Sequence, residues 1–401
     1  MRMGLFFIFL CFCIGIISYI TYNINEYMGN PLELREINTS NKKCHLINIP
    51  TTINNLIPLD NKFLIGAEYK FFDFYNHKSY LNNKVYDENI YLINIKTEKY
   101  SKVKIIDFPK NIPFHPQALS LYKKSEKDYI LYILNHAVSD IIDGKERIEK
   151  IIVNYNPKKE EISMIYDSSI LLPNEYFLKI DSIHAINEDI FYFTTNTPFP
   201  SPRESDDLLD IKNYLINFAY DLLKPIMIML NIKKCYVYSY NKKNIGNETE
   251  IIPNSESLAN KGITYDKKRN LIYVVKALER KINIFEIDKN NQYKAKYIKS
   301  IPILYVGNNI YYDEGKDLIY LGINGKMNEY DSIVNSYNKN KNFENVETFS
   351  GYEIIDPNNN YSIYEFMIYK NDYKWVSSSI QINEKNYMSS IFSNGIYVCG
   401  N

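Results

Sequence analysis

The sequence predicts an all-β chain folded as a six-bladed β-propeller with an amino-terminal anchor, on three observations. A pair of short strands recurs six times. Residues that favour strands are abundant: 15% of the 401 residues are aromatic, 38 of them Tyr. Cysteines stand at both ends of the repeated region, Cys44 and Cys399. Base composition can also enrich Tyr, Ile, Asn and Lys, so the pattern weighs more than the content. A β-sandwich fits the length but accounts for neither the six similar pairs nor the terminal cysteines.

The first members of the pairs are 62–66, 129–133, 190–194, 271–275, 318–322 and 386–390. Each is followed by a more alternating run: 90–93, 151–155, 235–238, 282–285, 327–330 and 396–398. Units too small to bury a core alone bury one by stacking in a ring. The clearest unit opens at Ser257-Leu258-Ala259-Asn260-Lys261-Gly262, a polar loop before a strand. An Asn at that inner edge either makes a turn or lends its carbonyl oxygen to a hard cation on the axis.

Formal net charge is zero, with 47 basic and 47 acidic residues, so no basic field exists to attract nucleic acid. Leu5 to Ile20 is apolar after Arg2, and Tyr19, Tyr22 and Tyr27 follow it. Boundary aromatics and a positive amino end suit a signal anchor and stalk over 1–31, with the propeller over 32–401. A cleaved leader is the alternative. The propeller would then be lumenal or extracellular, in the endoplasmic reticulum or at the cell surface. Sequons at Asn38, Asn247 and Asn360 agree, although they arise readily in an Asn-rich chain. A Cys44–Cys399 bridge would close the ring in an oxidising compartment and leave Cys235 free and buried.

One segment breaks the pattern. From Asp206 to Leu230 the apolar residues have helical spacing, with Ser205, Asp206 and Asp207 as a cap and Pro225 as a break. It would be a lid over the axial mouth, a surface resting on the membrane, or a helix packed on the propeller face.

An ordered series of short matches then comes into view: Pro116-Gln117-Ala118-Leu119-Ser120, Leu134-Asn135-His136, Leu171-Leu172-Pro173-Asn174, Ala259-Asn260-Lys261-Gly262-Ile263, Asn308-Asn309-Ile310 and Tyr397-Val398-Cys399. With Cys44 and the apolar amino terminus, the chain resembles the paraoxonase family of arylesterases and lactonases from about Leu32 onward. The resemblance implies a six-bladed propeller with a catalytic and a structural calcium on its axis, a bridge between its end cysteines, and helices near the mouth that contact membrane.

Carried over position by position, the catalytic calcium would be held by Asn54, Asp181, Asn260, Asn308 and Asn309. Asn260 and Asn309 match the family in type. Asn54 stands for a Glu, Asn308 for an Asp and Asp181 for an Asn, so two carboxylates become one and the site weakens. The structural calcium would rest on Asn55, Ser182 and the carbonyl of Leu119, without a carboxylate, and is expected to be lost. One calcium at most is therefore expected. Of the family's histidine pair, His136 matches and Gln117 replaces the other. Glutamine cannot act as a base near neutral pH. His115 could fill that role, His136 could equally be a core histidine, and His184 reads as structural.

No Gly-x-Ser-x-Gly elbow, zinc-spaced cluster or phosphate loop competes. Two functions remain open at this point. One is a calcium-dependent ester or lactone hydrolase of the arylesterase class with a partly eroded site. The other is a non-catalytic membrane-anchored assembly factor for membrane-protein clients such as channels, acting in the endoplasmic reticulum.

Overall fold

A computed structural model describes residues 14–15, 17–19, 21–22, 43–71, 88–136, 147–172, 180–196, 227, 230–246, 248–370 and 373–400. The first sheet contains β1 (Lys43–Pro58), β2 (Phe63–Glu68), β3 (Ile90–Asn94) and β4 (Tyr100–Val103). The second contains β5 (Ile105–Ile106), β6 (Pro116–Lys123), β7 (Asp128–Asn135), β8 (Arg147–Asn156) and β9 (Glu161–Leu171). β10 (Ile180–Ala185), β11 (Ile190–Thr195), β12 (Val237–Asn241) and β13 (Thr249–Ile251) make the third. β14 (Asn260–Asp266), β15 (Leu271–Lys276), β16 (Lys281–Ile287) and β17 (Ala295–Pro302) make the fourth. The fifth holds β18 (Val306–Asp313), β19 (Leu318–Asn324), β20 (Phe349–Asp356) and β21 (Ser362–Lys370), with helix α1 (Met327–Asn340) between β19 and β20. The chain then returns to the first sheet through β22 (Val376–Ile382) and β23 (Lys385–Gly400), giving the order β22-β23-β1-β2-β3-β4.

The expectation of six separate blades is corrected: the described residues form an all-β propeller of five sheets. The reason lies in two 16-residue strands. The amino half of β1 pairs with β23, and its carboxyl half pairs with β2. The strands expected for the first and last blades are therefore one hydrogen-bonded sheet. Residues 386–390 and 396–398, expected as two strands, both lie within β23. Six first strands nevertheless stand round the axis in the order β1, β6, β10, β14, β18 and β22.

The other strand pairs in 62–66 to 282–285 fall on neighbouring antiparallel strands. Met327 to Tyr330 do not: they open α1. Tyr330, Ile333, Val334 and Tyr337 recur at helical spacing, and Ile333 and Val334 pack with Tyr69, Phe71, Trp375 and Phe392. The strand that follows β19 in its sheet is β20, from Phe349.

No helix among the described residues is long and apolar enough to cross a membrane, which corrects the anchor helix expected over 1–31 as far as those residues go. Only 14–15, 17–19 and 21–22 of that stretch are described, all helical. The helix expected over 206–230 lies outside the described residues except for Met227 and Leu230.

Tyrosine does much of the packing between sheets. Tyr132, Tyr192, Tyr273 and Tyr320 are among the largest fully buried side chains, one in each of four sheets. The ring supplies apolar area, and the hydroxyl needs a partner once water is gone. Tyr132 donates to Glu188 O at 2.9 Å, Tyr192 to Gln292 O at 2.8 Å and Tyr273 to Asp266 Oδ2 at 2.8 Å. Tyr320 reaches Gln381 Oε1 on β22 at 3.4 Å.

The ring is closed covalently. Cys44 faces Cys399 across the β1–β23 ladder, and the two form a disulfide over a separation of 355 residues. A loop that long corresponds to about 6 kcal/mol in the chain-entropy model. Cys235 is free and buried, and burial pushes its thiol up to about 12, which leaves it inert.

One buried carboxyl sets a pH dependence. Burial pushes Glu353 on β20 from 4.5 up to about 7, while the Leu304 N–H donates to its Oε2 at 3.2 Å. Between those two values the folded state keeps a proton that the unfolded chain has released. Stability from this group is therefore full below pH 4.5 and is lost as pH rises to about 7. Glu353→Gln keeps the acceptor and removes the ionisation. Thermal melts should show the variant more stable than the parent by several degrees at pH 8, with the gap closing near pH 4.5.

Candidate functional site

Every first strand carries one extra residue at the same level of the axis. In β1, Ile53 and Asn55 face consecutive residues of β2, Glu68 and Ala67, so Asn54 is the extra residue. Gln117 is extra in β6, Asp181 in β10 and Ser377 in β22. In β14 the irregularity falls between Asn260 and Ile263, and in β18 between Gly307 and Ile310. A bulge breaks the alternation of side chains and re-aims the extra one. The six together form a ring of re-aimed groups at one mouth of the propeller.

This ring gathers most of the residues expected at the catalytic metal. Asn54, Asp181, Asn260, Asn308 and Asn309 are all buried. Asn54 Nδ2 donates to Gln117 O at 2.9 Å, and Asn309 Nδ2 donates to Ser378 Oγ at 3.2 Å. Asn260 Nδ2 donates to Ser255 O at 3.3 Å, while its Oδ1 is buried with no hydrogen-bond partner. Gln117 Oε1 is likewise buried and unpartnered.

The charge is arranged differently from the expectation. Asp181 is the one carboxylate among the five, and Lys261 Nζ lies 2.8 Å from its Oδ1. Lys261 is held in turn by its backbone, whose carbonyl accepts the Thr194 hydroxyl at 2.6 Å. A calcium ion placed among these groups would have to displace the ammonium and then rely on a single carboxylate. No cluster of three or more His, Cys, Asp or Glu suited to a metal occurs among the described residues. The donor set as arranged does not fit a divalent cation.

The expected structural-calcium positions do converge. Asn55, Leu119 and Ser182 line a common axial cavity just beneath the ring, without a carboxylate among them. Asn55 Oδ1 is buried and unpartnered.

The histidines separate into two groups. His115 and His136 sit together at the mouth end, both buried, with ring centres 6.5 Å apart. His136 N donates to His115 O at 3.1 Å. His115 Nδ1 lies 2.6 Å from Glu88 Oε2, and Tyr69 covers its ring at 4.8 Å. The other Glu88 oxygen accepts the Lys70 N–H at 2.8 Å. His115 N donates to Asn135 Oδ1, and Asn135 Nδ2 reaches both Pro113 O and Glu149 Oε1. The histidine beside His136 is thus His115, and Gln117 occupies the bulge. His184 lies apart, on the cavity wall, where burial lowers its imidazole to about 4 and keeps it neutral.

Three features of the site were not anticipated from sequence. Lys261 adjoins Asn260, and its charge beside a candidate ligand was a readable signal. Glu88 had no local signature. The run Ser377-Ser378-Ser379 was visible but unread. The Ser377, Ser378 and Ser389 hydroxyls all donate to Asn54 O, the latter two at 3.3 and 3.1 Å, and stitch β22 and β23 to β1 across the mouth. Among the sequons, Asn360 lies in an exposed turn, and Asn38 and Asn247 fall outside the described residues.

No protein-family model and no curated protein matches the chain. Solved structures similar to it include a putative gluconolactonase, at 9% identity and a TM-score of 0.47, covering 93% of this chain and 97% of that one. A luciferin-regenerating enzyme aligns at 10% identity and a TM-score of 0.47, covering 90% and 95%. A putative 6-phosphogluconolactonase from Bacteroides uniformis aligns at 8% identity and a TM-score of 0.38, covering 79% and 75%.

The mouth depends on one close approach. A Cβ on Gly262 would lie 2.5 Å from Ile310 N and 2.7 Å from Asn308 O and Asn309 Cα, all backbone atoms. Gly262→Ala must push β14 from β18, at a cost of about 1–3 kcal/mol. Its urea midpoint should fall without a change in slope.

Proposed function

We propose that this chain hydrolyses esters or lactones at the bulge-lined mouth, with the Lys261 ammonium as the electrophile. The observation that carries the reading is the placement of Lys261, paired to Asp181, in the ring that also gathers Asn54, Asn260 and Asn309. A fixed cation aimed at a carbonyl oxygen stabilises the oxyanion that forms when water attacks. His136 would take the proton from that water and return it to the leaving alkoxide as the acyl–oxygen bond breaks. His115, clamped between Glu88 and Tyr69, would orient it. The resemblance to paraoxonases supports the substrate class.

The same ion pair favours a second reading. With Asp181 already neutralised, the ring would be a structural plug, and the chain a non-catalytic scaffold for a membrane-protein client. In either reading we place the propeller in an oxidising lumenal or extracellular space, where the Cys44–Cys399 bridge forms.

Hydrolysis of phenyl acetate and δ-valerolactone by the purified full chain separates the two. The hydrolase reading expects turnover above background that drops about 100-fold or more in Lys261→Met. Substrate saturation should show the loss mainly in kcat. Absence of turnover on both substrates in the parent protein would sink the reading and leave the scaffold.

A further inference from the structure

Beneath the ring, the six first strands surround a half-open cavity of about 210 Å³. Lys261, Asp181, Asn54 and Gln117 do not line it, whereas Asn309 of the ring does, so the cavity opens directly below the proposed catalytic mouth and beyond its charged pair. Its walls mix polar and apolar surface in nearly equal parts, the apolar part built from Leu56, Leu119, Ile183, Ile263, Ile310 and Ile380. Two polar atoms on the lining have no partner: Asn55 Oδ1 on β1 and Ser379 Oγ on β22. Asn55 is 6% exposed and Ser379 2%. A buried acceptor left unmade costs on the order of 1–3 kcal/mol, so two such atoms on one cavity point to something that bonds them.

We infer that this cavity is a binding site for a neutral, phenol-sized ring compound carrying a hydroxyl. Size sets the first limit: a cavity of about 150 Å³ holds benzene, so this one has room for a single substituted ring. Charge sets the second. The lining contains no carboxylate, and its one ammonium, Lys123, is exposed at the rim. A buried ion would stand there unpaired. Hydrogen bonding sets the third. Asn55 Oδ1 can only accept, so the ligand must donate, which a hydroxyl does while its ring covers the isoleucines. Ser379 can accept from or donate to the same oxygen or a second substituent.

Calorimetric titration of the purified full chain with phenol, and separately with benzene, tests the site. Phenol should bind at least about tenfold more tightly than benzene, because only it satisfies the buried acceptor. Asn55→Leu should remove that preference while benzene binding persists. Lys261→Met should leave phenol binding unchanged, which separates this cavity from the mouth. Leu119→Trp should block both ligands, and the Asn55→Leu result stands on its own if that variant fails to fold. Failure of both ligands to bind the parent protein would mean that the cavity holds water only and would overturn the inference. Undiminished phenol preference in Asn55→Leu would overturn it equally.

Discussion

A β-bulge sets two residues of one strand against one of its neighbour and turns the extra side chain out of the pleat. Here the irregularity recurs on β1, β6, β10, β14, β18 and β22, at Asn54, Gln117, Asp181, 261–262, 308–309 and Ser377. A regular strand would send alternate side chains to the axis along its whole length. The bulges instead gather re-aimed groups at one level, above a stretch lined by both polar and apolar side chains. The mouth and the cavity are consequences of that single offset. The constraint also explains two local features. Gly262 is needed because the bulges of β14 and β18 nearly touch, and the Ser377 and Ser378 hydroxyls are needed because the Asn54 carbonyl, turned out of its ladder, requires donors.

Concentrating polar groups on an axis creates an electrostatic problem with two solutions. A divalent cation can neutralise several carboxylates, or the protein can supply its own cation. With one carboxylate among the five candidate ligands, one ammonium suffices, and the Lys261–Asp181 pair provides it at 2.8 Å. Partial exposure of Lys261, at 26%, reduces the desolvation cost that fully buried pairs carry. It also leaves the ammonium accessible to a small carbonyl compound. The histidines fit the same economy of charge. His115 draws on Glu88, from a neighbouring sheet, rather than on a metal.

The propeller was legible because its period is strong: runs such as Leu271–Val275 and Ile282–Phe285 are strands by composition and spacing alone. The sheet count was not, because β23 continues through positions where two strands were expected and β1 runs where none was expected, and strand length carries no local signal. Helix α1 was missed because Met327–Tyr330 is too short to show a period, which emerges only when Ile333, Val334 and Tyr337 are read with it. The disulfide was legible from cysteine placement. The site residues were placed by resemblance; in the structure Asn55, Leu119, Ser182 and Asn309 line one cavity, and Asn54 and Asn309 each bond to a neighbouring first strand. What sequence reasoning missed was charge pairing, since the Lys261–Asp181 and Glu88–His115 contacts join residues 80 and 27 positions apart.

Lys261 Nζ, 2.8 Å from the Asp181 carboxylate, stands where an axial divalent cation would draw on that charge. Calorimetric titration of calcium into chelator-treated, full-length protein at neutral pH tests it most directly. No binding below millimolar calcium is expected in the parent protein, and measurable binding is expected once Lys261→Met frees the Asp181 carboxylate. A tight calcium site in the parent protein, unaffected by Lys261→Met, would contradict it.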